Sequence, residues 1–329
     1  MAARLFLLLV LGAALLPFQA AVADADDGPP RTLLSAAGRL RPSETIERVA
    51  SAGVLRVLVT ISGYGADVRN DAGYWAPLAR ALPDMRAVEY GNDFGQYDTR
   101  GSIATNAAAL VRDIDRLSRE EDPELIAIVG VSQGGVVAAE AARSAHLSRD
   151  NVTSITTLGS PLNGSTAAQI VLDADAVATA AGAHRELSDI VAPLGVGLDD
   201  AALRDLARRK ESTPPADVHF TQFSATLDEL VFDRDSNVVG RVRTVSPLPP
   251  GAHGGQLSDA RTLAMVVDAV HGKDVKVSPL ETAVADATAP KVEFIRYAAF
   301  LALAALFVGV AITIAQLKSL FSRPPRCGG

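Results

Sequence analysis

Gly130, Ser132 and Gly134 stand in G-x-S-x-G spacing within LIAIVGVSQGGVVAAEAA (125–142), with Gly135 beside them. Apolar residues run into Gly130 and small helix formers follow Gly134, so a buried strand hands over to a helix at one serine. The chemistry open to such a serine is nucleophilic. Its hydroxyl is exposed at a helix N-terminus, where backbone N–H groups and the helix dipole can stabilise a developing oxyanion. The glycines fit the same reading, because so sharp a turn is strained and leaves no room for Cβ atoms where strand and helix nearly touch. A serine hydroxyl is a poor nucleophile near neutral pH, so it needs a base within hydrogen-bond reach and a carboxylate to orient that base. Only five histidines are available.

The elements that must position these groups can be followed along the chain. RVLVTI (56–61) is a β-branched run opening into Ser62-Gly63-Tyr64-Gly65. A dinucleotide-binding loop would need a third glycine where Val68 stands, so no such cofactor is expected. Tyr74, Trp75, Leu78, Ala79 and Leu82 recur at helical spacing up to Pro83, with Trp75 expected in the core. Residues 86–90 form the next strand, and Ser102 is the expected N-cap of a helix reaching about Ser118. Beyond the serine, 152–158 is a strand leading into Gly159-Ser160-Pro161, and 166–210 is alanine-rich and helical, with breaks at Gly182 and 193–195. Residues 211–215 make a linker. Strands follow at 218–224 and 238–245, then His253 in a glycine-rich loop, then a helix from Ser258 to about His271. This alternation predicts a mainly parallel sheet.

The 125–142 segment resembles the nucleophile elbow of the α/β-hydrolase superfamily, especially its lipases, esterases and thioesterases. The resemblance spans about 56–271 and implies an α/β-hydrolase fold, a mainly parallel sheet flanked by helices, with 166–210 either a helical cap over the active-site mouth or ordinary packing helices between consecutive strands. It also implies the chain order serine, acid, histidine. His146, His184 and His219 precede the candidate acid. His253 follows the last strand, whereas His271 ends a helix and suits a dipole partner, so His253 is the expected base. SATLDELV (224–231) looks like the family's S-x-x-D-x-x-V stretch and makes Asp228 the expected acid, with Asp233 and Asp235 as close rivals. The oxyanion donors implied are the backbone N–H groups of Gln133 and of Tyr64, which follows Ser62-Gly63 where the family usually has His-Gly. Gly65 is the alternative donor.

Composition narrows the partners. A net charge of −7 with no basic cluster in the body argues against nucleic acid. The run 233–237 faintly resembles a calcium loop, but Val238 stands where glycine is required and Thr244 where glutamate is, so no metal is expected. Asn151 and Asn163 begin N-x-S/T triplets, which carry meaning only in a host that glycosylates. Arg4, the apolar run 5–16 and Ala21-Val22-Ala23 follow the order of a secretory signal peptide. Residues 297–317 are apolar apart from Thr313 and Gln316, long enough at about 20 residues to cross a bilayer. Lys318, Arg323 and Arg326 follow it, a positive-inside bias. The sole cysteine, Cys327, lies in the tail, so the body has no internal disulfide.

The expected organisation is a signal peptide at 1–23, a leader at 24–52 and a hydrolase domain at 53–275. A linker at 276–295, a transmembrane helix at 296–317 and a cytoplasmic tail at 318–329 complete it. This implies a single-pass cell-membrane protein with its catalytic domain on the extracytoplasmic side, cleaving small-molecule or lipid-like carboxylic esters without a cofactor. The alternatives are an acyltransferase or thioesterase on the same three residues, or a non-catalytic binding protein on the scaffold.

Overall fold

The computed structural model describes residues 55–143, 147, 151–208, 218–225, 228, 230–236, 241–244 and 253–321. The expected signal peptide and leader, His146, the 245–252 loop and Cys327 lie outside the described residues.

Six strands form one sheet: β1 (Arg56–Ile61), β2 (Arg86–Glu89), β3 (Leu125–Val131), β4 (Val152–Leu158), β5 (His219–Ala225) and β6 (Arg241–Thr244). Their order is β2-β1-β3-β4-β5-β6, and every neighbouring pair is parallel. The helices between them are α1 (Ala72–Ala81), α2 (Ile103–Glu121) and α3 (Gln133–Ala142), then α4 (Thr166–Ala180), α5 (His184–Val191), α6 (Ala201–Arg208) and α7 (Ala260–Val270). Period-two alternation gives the sheet two apolar faces. Val57, Val59, Ile126 and Ile128 pack with Leu110 and Ile114 of α2 and Val136 and Val137 of α3. Leu58, Ala127 and Val129 pack with Trp75 and Leu78 of α1 and Val266 and Ala269 of α7. This is the α/β-hydrolase architecture expected from the sequence.

The strand order decides where a site can form. From β1 the chain goes outward to β2, then returns to place β3 on β1's other side. The loops leaving β1 and β3 therefore diverge at their carboxyl ends and open a crevice there. Ser62–Tyr64 leave β1 and Ser132 leaves β3 at that crevice.

Two local expectations change. Ser102 sits at the N-cap position of α2 but makes no side-chain cap bond. Its hydroxyl instead donates to Asp205 Oδ2 at 2.9 Å, as does the Ile103 N–H, so α6 supplies the cap. The expected linker at 276–295 is helical from Pro279 onward, continuous with the apolar segment in one helix, α8 (Pro279–Phe321), with Pro290 inside it. Among the described residues α8 is the one helix long and apolar enough to cross a membrane, and only 17% of its apolar window is buried. Phe307, Val308 and Ala311 form its buried stripe, against Ala178 of α4 and Leu187 and Val191 of α5.

Candidate active site

Ser132 has φ 52° and ψ −124°, left-handed backbone that a residue with a Cβ rarely adopts. Close packing enforces it. A Cβ on Gly134 would stand 2.2 Å from the Ile61 carbonyl oxygen, and one on Gly130 would stand 2.5 Å from the Gly134 carbonyl carbon. Strand, turn and helix can therefore approach this closely only with glycine at both positions. The Ser132 N–H donates to the Leu158 carbonyl at 2.8 Å, tying the turn to the end of β4.

Gly159 follows Leu158, and its own surroundings bring the other candidate groups in. Its φ is +52°, and a Cβ there would stand 2.8 Å from Asp228 Oδ2 and 3.1 Å from His253 Nδ1. His253 Nδ1 lies 2.8 Å from Asp228 Oδ2 and 3.1 Å from Oδ1. Both residues are buried, at 5% and 1% exposure, so this pair is shielded from water. Asp228 Oδ1 also accepts from the N–H groups of Leu230 (2.9 Å) and Val231 (2.8 Å). Three donors thus hold the carboxylate, and its acceptor oxygens leave the imidazole its Nδ1–H tautomer with Nε2 as the basic nitrogen.

Asp235, His271, His184 and His219 are engaged elsewhere. Asp235 accepts from the Thr166 N–H and hydroxyl and from the Phe232 N–H, which joins the acid loop to the start of α4. His271 Nδ1 bonds the Val267 carbonyl at the end of α7, as a helix-terminal histidine does. His184 pairs with Asp175 at 2.6 Å on the cap, and His219 meets Thr221 within β5.

The loop after β1 comes directly against the serine, since a Cβ on Gly63 would stand 3.0 Å from Ser132 Cβ. The Gly65 N–H is turned to the Thr99 carbonyl at 3.4 Å. The Tyr64 phenol reaches the cap. It donates to Asp200 Oδ2 at 2.5 Å and accepts from the Gly197 N–H at 2.9 Å, with the Arg100 guanidinium 5.4 Å from its ring centre. Burial, then the bond to Asp200, pushes this phenol up to about 12.

Sequence reasoning missed the support beneath this loop. The Ser62 hydroxyl donates to Glu89 Oε1 (3.2 Å) and accepts from Trp75 Nε1 (3.2 Å), and the Tyr97 hydroxyl donates to the Ser62 carbonyl (2.9 Å). Burial raises the Glu89 carboxyl to about 7, with the Ser62 bond opposing, and burial raises Asp71 nearby as well. Nothing in the spacing of Ser62, Trp75, Glu89 and Tyr97 marks them as one group, because four separate segments meet there. Gly159 was legible only as part of a turn. Among the described residues no group of His, Cys, Asp and Glu could hold a metal ion.

A family model described as a PGAP1-like alpha/beta domain matches residues 94–192, less than a third of the chain and including the Ser132 turn. No curated protein matches the chain by sequence. Among solved structures the chain is similar to the RedJ thioesterase from the prodiginine biosynthetic pathway of Streptomyces coelicolor, at 20% identity and TM-score 0.42, covering 65% of this chain and 86% of that one. It is also similar to Aspergillus fumigatus lipase B, at 16% identity and TM-score 0.47, covering 80% and 63%. A hydrolase from Pseudomonas aeruginosa PA01 aligns at 13% identity and TM-score 0.41, covering 66% and 90%. Likeness of this degree carries no weight on activity. The hydrolase fold is read from the parallel sheet order and the strained turn at its switch point.

Proposed function

We propose that the protein is a serine hydrolase that cleaves carboxylic esters through an acyl-serine intermediate. One observation carries the reading: a buried carboxylate–imidazole pair packs on Gly159, whose preceding residue holds the backbone of a strained serine. In this reaction His253 Nε2 takes the proton of the Ser132 hydroxyl as its oxygen attacks the ester carbonyl. The tetrahedral oxyanion is met by the backbone N–H groups of Gln133, at the start of α3, and of Tyr64. Each such donor is worth on the order of 100 to 1,000-fold in rate. Collapse expels the alcohol, protonated by His253, and leaves the acyl group on Ser132. Water then attacks the acyl-serine carbonyl as His253 removes its proton, and collapse breaks the Ser132 Oγ–acyl bond, releasing the carboxylic acid while His253 returns the proton to Ser132. Asp228 keeps the imidazole in its tautomer and stabilises the imidazolium throughout.

The apolar length of α8 supports a membrane-anchored enzyme acting on lipid-like esters, because a domain held at a bilayer meets acyl chains at high local concentration. Together with the apolar run at 5–16, it supports export with the domain on the outer side. Hydrolysis of short and long p-nitrophenyl esters by the purified protein tests the reading. Activity is expected to fall to background in Ser132→Ala, and full activity in that variant would overturn the assignment.

A further inference from the structure

The loop carrying Asp228 is fastened from two sides, and one of them is the C-terminal helix. Val231 donates its N–H to Asp228 Oδ1 at 2.8 Å, and its carbonyl accepts from Arg296 Nη2 at 2.9 Å. The other edge of that same peptide, the Phe232 N–H, donates to Asp235 Oδ2 at 3.2 Å. The Phe232 ring is 1% exposed and lies 4.5 Å from the Arg296 guanidinium. Tyr297 and Phe300 meet it at ring-centre distances of 6.5 and 5.9 Å. The 231–232 peptide is therefore pinned between the catalytic domain and α8, one residue from the N–H groups that hold the acid. We propose that Arg296, with Tyr297 and Phe300, is a clamp that positions Asp228, so that α8 is a working part of the hydrolytic site as well as a tether. The proposal rests on the role assigned to Asp228 above.

An arginine at the edge of an apolar helix often does no more than reach toward lipid headgroups. Here one guanidinium nitrogen is spent on the Val231 carbonyl and the cation lies over Phe232, which favours a protein partner. Position along the helix matters too. Farther on, α8 runs beside α5, where Lys318 meets Glu186 at 2.9 Å and Arg185 and Asp189 are exposed. Hydrocarbon does not accept such a charged neighbour, so a bilayer-spanning α8 must release those contacts. Arg296 lies just before the apolar run and can keep its own. The Arg296 bond is thus the joint that insertion leaves in place, with Tyr297 and Phe300 at the very start of the apolar run.

The test measures the rate at which a fluorophosphonate probe labels Ser132, across pH, in the full-length protein in detergent micelles. Labelling needs the base but no particular ester. Arg296→Ala is expected to label about tenfold more slowly. Its acid-side midpoint is expected to move to lower pH, because a loosened carboxylate stabilises the imidazolium less. Arg296→Lys keeps a cation and a donor and is expected to recover part of both, while exposed Lys291→Ala should behave as wild type. A folded Arg296→Ala protein with wild-type rate and midpoint overturns the clamp alone. If that variant does not fold, Arg296→Lys and Phe300→Ala are judged on the same midpoint, and no shift in either overturns it. Silence of the wild-type protein overturns the serine mechanism and the clamp with it.

Discussion

The turn that carries Ser132 and the outer edge of the helices at 166–208 are held in different ways. At the turn, backbone approaches backbone. Cβ atoms on Gly130 and Gly134 would stand 2.5 and 2.2 Å from backbone atoms, and one on Gly135 would stand 2.1 Å from the Ser160 hydroxyl. The cap meets the core through Ala168, Leu203 and Leu206, and at its outer edge it adds polar reach. Arg100 Nη1 bonds Asp200 at 2.6 Å and Arg100 Nη2 bonds the Gly195 carbonyl at 2.9 Å, and the Arg100 side chain is 42% exposed. The first kind of contact has no slack. The second is exchangeable with water, and exposed ion pairs contribute about 0.2–1 kcal/mol each. Catalysis needs the first kind of contact where the nucleophile sits, since it must be held to a fraction of an ångström.

The sharpest break on the rigid side is Asp228→Asn. An amide in place of the carboxylate would favour the wrong imidazole tautomer, and turnover is expected to fall on the order of 10⁴-fold with the fold intact. Steady-state kinetics beside a circular dichroism spectrum checks this, and a drop below about tenfold would remove Asp228 from its role.

Gly134→Ala tests the packing itself. The new methyl would press on the carbonyl oxygens of Ile61 and Ser62, which are backbone and cannot turn aside. A cost of about 1–3 kcal/mol or more is expected, seen as a lowered Tm or loss of soluble protein.

Glu89→Gln sits between the two regimes, since Glu89 supports the loop that faces Ser132. The folded carboxyl is raised to about 7 from 4.5 by burial, so it is the protonated form that the fold favours. That contribution is fully present below about pH 4.5 and is lost as pH rises through 7. Wild-type Tm should therefore decline across this window more than the Tm of the variant, whose amide does not titrate. Parallel melting curves between pH 4 and pH 8 would read it, and superimposable pH dependences would show that Glu89 is not held neutral.

Asp200→Ala should give the smallest effect. It removes the partner of Arg100 and of the Tyr64 phenol, and a stability loss of about 1 kcal/mol is expected, with kcat nearly unchanged and KM for long-chain esters altered. A kcat loss as large as that of Asp228→Asn would mean that the cap and the turn are one rigid unit.

Much of the fold was legible before any coordinates. The residues 152–158 are a strand as expected, the breaks at Gly182 and 193–195 separate α4, α5 and α6, and continuous apolar runs marked β1 and β3. These features are local: they depend on side-chain period and on glycine and proline, which any short window exposes. Ser102 shows where local logic stops, because the group that caps α2 comes from Asp205, about a hundred residues away. Residues 276–295 show it again. Their Pro, Ala and Asp content reads as a linker, yet packing carries α8 back to Pro279.

The sequence alone determined that one serine sits on a glycine-flanked turn between strand and helix, because that arrangement needs residue types at fixed short spacing. It also determined that an apolar stretch of bilayer length follows the body. Only the tertiary structure decided that Asp228 and His253, 25 residues apart, share a buried hydrogen bond against Gly159. It alone brought Ser62, Trp75, Glu89 and Tyr97 together, and set Arg296 on Val231. Contacts between distant segments follow from strand order and from how helices pack over the sheet, and no local pattern of residues encodes either.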